Sequence, residues 1–85
     1  MHELSIALEV CAIAERTLGD RVPQLTRVGL EVGDGAGIVV ENLTFCLDTL
    51  LTEPPFRGAG VEVSAVAGDV LRVSYLEVDD ERSAH

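Results

Sequence analysis

The chain has 85 residues, enough for one small domain whose core buries about 60% of the surface that the unfolded chain exposes. A 47% hydrophobic content excludes a disordered chain, while the 4% aromatic content means that aliphatic side chains must build the core. Six Lys and Arg against fifteen Asp and Glu give a net charge of −9, which repels phosphate backbones and anionic membrane surfaces. We therefore expect no nucleic-acid partner and no membrane association.

The amino terminus and the cysteines indicate a cytoplasmic protein. No segment is long enough to span a bilayer, and Glu3 and Glu9 stand where a secretory signal needs positive charge. Cys11 and Cys46 are far apart, form no CxxC pair and occupy apolar positions of helical patterns. In a reducing compartment we expect them to be buried, inert thiols rather than ligands or a disulfide.

The first predicted elements are a helix and a strand. Apolar residues recur at helical spacing from Leu4, and Gly19 provides a C-cap. The predicted buried stripe of this helix comprises Leu4, Ala7, Leu8, Cys11, Ala14 and Leu18, widened by Ile6, Val10 and Ile13. After Pro23, residues 26–32 alternate, which is typical of a half-buried strand with Val28, Leu30 and Val32 on one face.

A glycine-rich turn, GDGAG at 33–37, leads into a second predicted helix that is broken by Pro54 and Pro55. Glycines between a strand and a helix also occur in phosphate-binding loops. Here the spacing matches neither GxGxxG nor a Walker motif, no Lys follows, and Asp34 would repel an anion. We interpret these glycines as turn residues.

The remaining segment, VEVSAVAGDVLRVSYLEV, consists of two alternating runs that predict a hairpin. A three-residue loop at 67–69 puts the apolar residues of both strands, Tyr75 included, on one face. The apolar phase then switches at Leu76 and Val78, which indicates a β-bulge or a strand end that leaves the sheet. The predicted solvent face carries Arg27, Glu31, Glu62, Ser64, Arg72 and Ser74.

Together these elements predict an α/β fold in the order αβαββ. It is a two-layer sandwich with two helices on one face of a three-stranded mixed sheet, whose first two strands flank a helix and are expected to be parallel. Residues 1–79 form the single domain, and residues 80–85 form a short acidic tail. The tail ends in His85, which we interpret as part of a disordered terminus rather than as a ligand.

The first residues offer a metal three nitrogen donors. The α-amine of Met1, the backbone nitrogen of His2 and its imidazole Nδ1 are spaced to close a five-membered and a six-membered chelate ring. Planar nitrogen coordination is typical of Ni(II) or Cu(II). The fourth donor stays open between the Glu3 amide or carboxylate, a water, and a histidine from elsewhere or from a partner. Glu3 also has a structural interpretation, as a first-turn carboxylate that complements the helix dipole.

Three segments in this order, MHELSIA, LTRVGLEVGDGAGIVVENLTFCLDTL and LRVSYLEV, resemble the HypA/HybF family of hydrogenase nickel-incorporation proteins. The similarity runs over nearly the whole chain, and its initial motif is fixed to the terminus. The resemblance implies that Met1, His2 and Glu3 form a nickel site. It also implies two partners, a maturation GTPase and the large-subunit precursor of a nickel enzyme, the hydrogenase.

The pattern departs from the family at one place. Family members carry a zinc module held by two CxxC pairs between the second strand and the last, whereas this chain has only residues 67–69 there. We therefore expect the chain to bind Ni(II) but no zinc. Without a structural zinc site a small domain is less stable, which favours a homo-oligomer. If the family places its first strand between the other two, so short a link would require strand exchange between chains.

The sequence thus predicts a cytoplasmic, zinc-free nickel metallochaperone for hydrogenase maturation. It is not predicted to be an enzyme, because no nucleophile pairs with a base and the carboxylates are scattered over solvent faces. Two alternatives stay open. One is a metal-independent adaptor or regulatory module that retains the fold, and the other is a copper-binding regulator.

Overall fold

The computed structural model describes residues 3–80. Its elements are the helix α1 (Glu3–Leu18), a 3-10 helix (Gly19–Gln24), the strand β1 (Leu25–Gly33), the helix α2 (Val40–Leu50), and the strands β2 (Gly60–Val66) and β3 (Leu71–Val78). This confirms the α/β class, the order αβαββ, and a sandwich of two helices and three strands. None of the described helices is long and apolar enough to cross a membrane. The tail residue His85 lies outside the described residues.

Aliphatic side chains build the core between the helices and the sheet, as the composition predicts. Fully buried leucines come from β1 and α2, and Ala7 and Ala14 let α1 pack closely. The predicted stripe of α1 is wrong at Leu4 and Leu8, each of which is 52% exposed. At 3.6 residues per turn, the buried arc centres on Val10 and Ala14, so these two leucines lie at its edge. The buried residues of α1 are Ile6, Ala7, Val10, Cys11 and Ala14.

The sheet has the order β2-β1-β3, with β1 in the centre. The pairing of β1 with β2 is parallel, as predicted, with Leu30 opposite Val63. The predicted hairpin is wrong, because β3 pairs antiparallel with β1 and not with β2. Alternation within two neighbouring segments determines which side chains share a face, but it does not determine which strand lies between them.

A four-residue link, residues 67–70, joins β2 to β3 across the end of β1. Two strand spacings amount to about 10 Å, and five extended residue steps reach roughly 17 Å, so the link closes within one chain. The prediction that a central first strand would require strand exchange between chains is therefore wrong, because β1 is central and the link still closes within one chain. The amide of Gly33 donates to the carbonyl of Val70 at 2.6 Å, and the amide of Gly35 donates to the carbonyl of Gly68 at 2.6 Å.

Gly33 permits this crossing because it has no side chain. A Cβ built on Gly33 would overlap the carbonyl oxygen of Gly68 and lie 2.7 Å from the amide nitrogen of Val70. Both are backbone atoms, which have no rotamer by which to move away. The close approach of the link to β1 therefore requires glycine at this position.

The bulge predicted in β3 is confirmed, but it reverses the expected direction of Tyr75. The register shifts between Gly29 and Leu30, so that Gly29 is opposite Tyr75 and Leu30 is opposite Val73. Tyr75 consequently lies on the solvent face, where its ring covers Gly29 and its hydroxyl donates to Glu62. A Cβ on Gly29 would overlap that ring. The tyrosine thus joins all three strands on the exposed face of the sheet.

Replacing Gly33 by Ala is expected to lower the free energy of unfolding by about 1–3 kcal/mol, because the new methyl group displaces the crossing link. Gly60→Ala is the matched control, since a Cβ there lies 3.9 Å from its nearest neighbour, an ordinary contact. Urea denaturation of both variants measures the difference. Equal stability of the two variants would contradict the close approach of the link to β1.

The hydrogen bond to Glu62 and, to a lesser extent, desolvation raise the pKa of Tyr75 above its usual value. Because the folded-state pKa is raised, the stabilisation is present below the unfolded value of about 10 and is lost as pH rises through the folded pKa. Tyr75 is the single tyrosine of the chain, so tyrosinate absorbance reports on it alone. Glu62→Gln is expected to lower this pKa, whereas Glu31→Gln, a carboxylate replacement on the same face, should leave it nearly unchanged.

Candidate metal centre

Glu3, the first described residue of the candidate site, lies at the end of the domain where both helices begin. The chain enters α1 at Glu3, and α2 begins at Val40 after the glycine-rich turn that follows β1. The link between β2 and β3 crosses the same end, because it contacts Gly33 and Gly35. The start of α1, the start of α2 and the crossing link are therefore neighbours.

Glu3 is the one predicted ligand residue within the described part of the chain. Its side chain is half-buried, and its Oε2 accepts a hydrogen bond from the amide of Val39 at 3.0 Å. Val39 is the N-cap residue of α2 and provides no side-chain cap of its own. Glu3 therefore caps α2 from a different helix, and its charge also complements the positive end of the α2 dipole.

A second carboxylate at this end, that of Asp34, supports the turn. The Asp34 side chain accepts a hydrogen bond from the amide of Gly68 at 3.0 Å, which ties the glycine-rich turn to the crossing link. Among residues 3–80, no group of three or more His, Cys, Asp or Glu side chains is arranged to hold a metal ion. At this end of the domain, the carboxylates of Glu3 and Asp34 thus each accept a hydrogen bond from a backbone amide.

Met1 and His2, the other two predicted ligands, lie outside the described residues. Their assignment stays a prediction from the sequence and its resemblance. The structure adds that Glu3, bonded to His2 in the sequence, is fixed to the start of α2.

The two cysteines are free thiols. Cys11 is buried in α1, and burial, with a smaller contribution from Glu15, raises the pKa of its thiol. Cys46 in α2 is half-buried rather than buried. Since a metal binds the thiolate and not the thiol, the environment of Cys11 disfavours it as a ligand.

The described residues form a small α/β domain. Residues 3–80 contain no cluster of metal-binding side chains, so the candidate ligands are those that the sequence predicts at the chain start, Met1, His2 and Glu3. Comparison with known proteins identifies the class. The model of a family described as "Hydrogenase/urease nickel incorporation, metallochaperone, hypA" matches residues 1–73. The chain belongs to this HypA family, as the resemblance predicted.

Several relatives are similar to most of this chain. A protein of Azoarcus sp. (strain BH72), named hydrogenase maturation factor HypA, is 39% identical over 69 residues, which are 80% of this chain and 60% of the relative. Proteins of the same name from Geobacter metallireducens and Chlorobium phaeobacteroides are 34% and 37% identical over 68 and 67 residues. These matches cover 80% and 78% of this chain, and 60% and 59% of the relatives. The chain spans about three fifths of the length of these relatives.

The contact between Glu3 and Val39 is not predicted by the sequence pattern. The two residues are 36 positions apart, and the first-turn position of Glu3 predicts an effect on its own helix only. One signal was present, because the N-cap position of α2 is a valine, which cannot cap. A helix start without its own cap requires a partner from elsewhere in the fold.

Glu3→Ala is expected to destabilise the domain by about 1 kcal/mol, because the amide of Val39 and the α2 dipole lose their acceptor. Glu3→Gln keeps an acceptor oxygen without the charge and should cost less. Chemical denaturation gives both values, with Glu15→Ala as the control for removing an exposed carboxylate from the same helix. A loss in Glu3→Ala no larger than in Glu15→Ala would contradict the capping role.

Proposed function

We propose that this chain is a nickel metallochaperone that holds Ni(II) through Met1 and His2 and delivers it during hydrogenase maturation. Membership of a family described by nickel incorporation supports this, together with the names of the relatives. The family match begins at residue 1 and so includes the initial Met-His-Glu motif. That inclusion is the observation that carries the proposal.

The donor chemistry favours nickel at the chain start. The amine of Met1, the backbone nitrogen of His2 and its Nδ1 form two fused chelate rings, which suit a planar ion rather than tetrahedral zinc. These donors must lose protons to bind, so affinity rises with pH. A site with three donors from the protein leaves a position open, which suits a carrier that must release its ion.

Glu3 is proposed to serve this site first as an anchor. Its Oε2 accepts the hydrogen bond of the Val39 amide, and this contact fixes the beginning of α1 directly after the chelating residues. Preorganised donors lose less entropy on binding, which strengthens a small site. Its backbone amide remains a candidate for the fourth donor.

We further propose that the chain works without a zinc module. The sequence has two cysteines, in α1 and α2, and the raised pKa of Cys11 disfavours it as a thiolate ligand. The interval between β2 and β3 consists of Ala67, Gly68, Asp69 and Val70, which include no cysteine or histidine. We therefore propose a nickel carrier without zinc whose partners are a maturation GTPase and the large-subunit precursor of a hydrogenase.

The test is a Ni(II) titration by calorimetry and absorption spectroscopy on protein with an unmodified Met1. His2→Ala, and separately acetylation of the Met1 α-amine, are expected to weaken binding at least about a hundredfold, since each removes a chelating donor. His85→Ala is the matched control, because it removes the only other histidine of the chain. It should bind like the unmodified protein, with the planar spectrum of nitrogen-bound Ni(II).

Equal affinity in all these variants would overturn the nickel proposal and favour the metal-independent adaptor. Competition with Cu(II) tests the copper regulator. Since Cu(II) binds most nitrogen sites more tightly than Ni(II), the deciding readout is which metal supports transfer to the hydrogenase precursor. Tight binding of Cu(II) with no transfer of Ni(II) to the precursor would favour that regulator.

A further inference from the structure

The outer edge of β3 has no partner strand among the described residues, because the sheet order is β2-β1-β3. Edge strands are commonly protected by Pro, by charged side chains, especially Lys, by β-bulges or by a covering segment. The strand β3 has one bulge and two charged residues, Arg72 and Glu77, and the pairing inferred below uses both features. Residues 71–78 contain neither Pro nor Lys. Within residues 3–80, the backbone groups on the outer side of β3 pair with no other strand.

The bulge gives β3 an inside-outside pattern that is symmetric about its centre. Before the bulge, Leu71 and Val73 point toward the core, and after it Leu76 and Val78 do. The residues between and beside them, Arg72, Ser74, Tyr75 and Glu77, are exposed. Read in either direction, the strand has the same sequence of half-buried and exposed positions.

This symmetry fits one antiparallel register with a second copy of the strand. If Ser74 faces Tyr75 of the other copy, then Val73 faces Leu76 and Leu71 faces Val78, all on the core side. A regular strand without the bulge would place the paired residues 72 and 77 on opposite faces. The bulge puts both on the solvent face.

The charges complement each other in the same register. Arg72 of one copy faces Glu77 of the other, and the symmetry creates this pair twice. Within one chain Arg72 already contacts Glu31 at 2.6 Å, and Glu77 contacts Arg27 at 3.7 Å. Across the joined sheet the charges would therefore alternate in sign from strand to strand. Each row would consist of Glu31 and Arg72 of one copy, followed by Glu77 and Arg27 of the second copy.

An apolar groove lies beside this edge, between α1 and the first half of β3. Its volume is about 310 Å³, and it is lined by Ile6, Val10, Ile13, Leu71 and Val73, among others. All four core-facing residues of β3 remain only half-buried. A second copy at the edge would cover apolar surface that this chain does not cover itself.

We infer that two copies of this chain associate through antiparallel pairing of β3 with β3, centred between Ser74 and Tyr75, to form a six-stranded sheet. The interface is isologous, as in most homodimers. It is independent of the nickel proposal, since no residue of the candidate metal centre takes part.

The test uses charge exchange, measured by sedimentation in about 0.15 M salt with a chelator, so that the net charge of −9 is screened and no metal bridges the copies. Arg72→Glu puts two glutamates opposite each other at both pairs, and Glu77→Arg does the same with arginines. Each variant alone should raise the dimer Kd at least about tenfold. Mixed one to one, they restore opposite charges at both pairs and should form a heterodimer.

Matched controls separate this effect from net charge. Arg57→Glu and Glu53→Arg make the same charge changes at exposed positions between α2 and β2 and should associate like the unmodified chain. Circular dichroism checks that each variant is folded, and recovery in the mixture shows the same independently. A monomeric unmodified chain, unaffected single variants, or a mixture that stays monomeric would each overturn the inferred interface.

Discussion

The close approach of the β2–β3 link to the backbone of Gly33 is the contact on which the architecture depends. Three amides at the end of β1, those of Gly33, Asp34 and Gly35, donate to carbonyls of β2 and the link at 2.6–2.9 Å. These bonds allow β3 to return on the far side of β1 after four residues. The central position of β1 follows, and with it a sheet with two short edges and one face covered by the helices.

The end of β1, the start of α2 and the start of α1 lie at the same end of the domain, and the proposed function depends on this end. Because β1 ends there, α2 must begin there, and Glu3 brings the start of α1 to it through Val39. A small domain with few aromatic residues has little core with which to hold its helix ends together. The carboxylate of Glu3 joins the start of α1 to the start of α2 with one hydrogen bond and a favourable dipole interaction.

The β-bulge in β3 determines both the position of Tyr75 on the solvent face and the pattern of the exposed sheet edge. The bulge at Ser74 and Tyr75 places the tyrosine ring over Gly29 and brings its hydroxyl to Glu62. It also makes the exposed edge symmetric, with Arg72 and Glu77 on one face. The exposed ion pairs of this face each contribute little to the stability of one chain, but their alternation gives the edge a specific preference for a copy of itself.

The sequence by itself determined the element types and order, the parallel pairing of β1 with β2, the bulge in β3 and the family, because periodicity, turn residues and the initial motif are local signals. The tertiary structure alone decided that β1 separates β2 from β3, that Leu4 and Leu8 are half exposed, and that Glu3 caps α2. Each of these depends on which distant segment packs beside a residue, and local periodicity carries no information about that neighbour. The assignment of Met1 and His2 as nickel ligands stays a prediction, which rests on the donor chemistry of these residues and on the family resemblance.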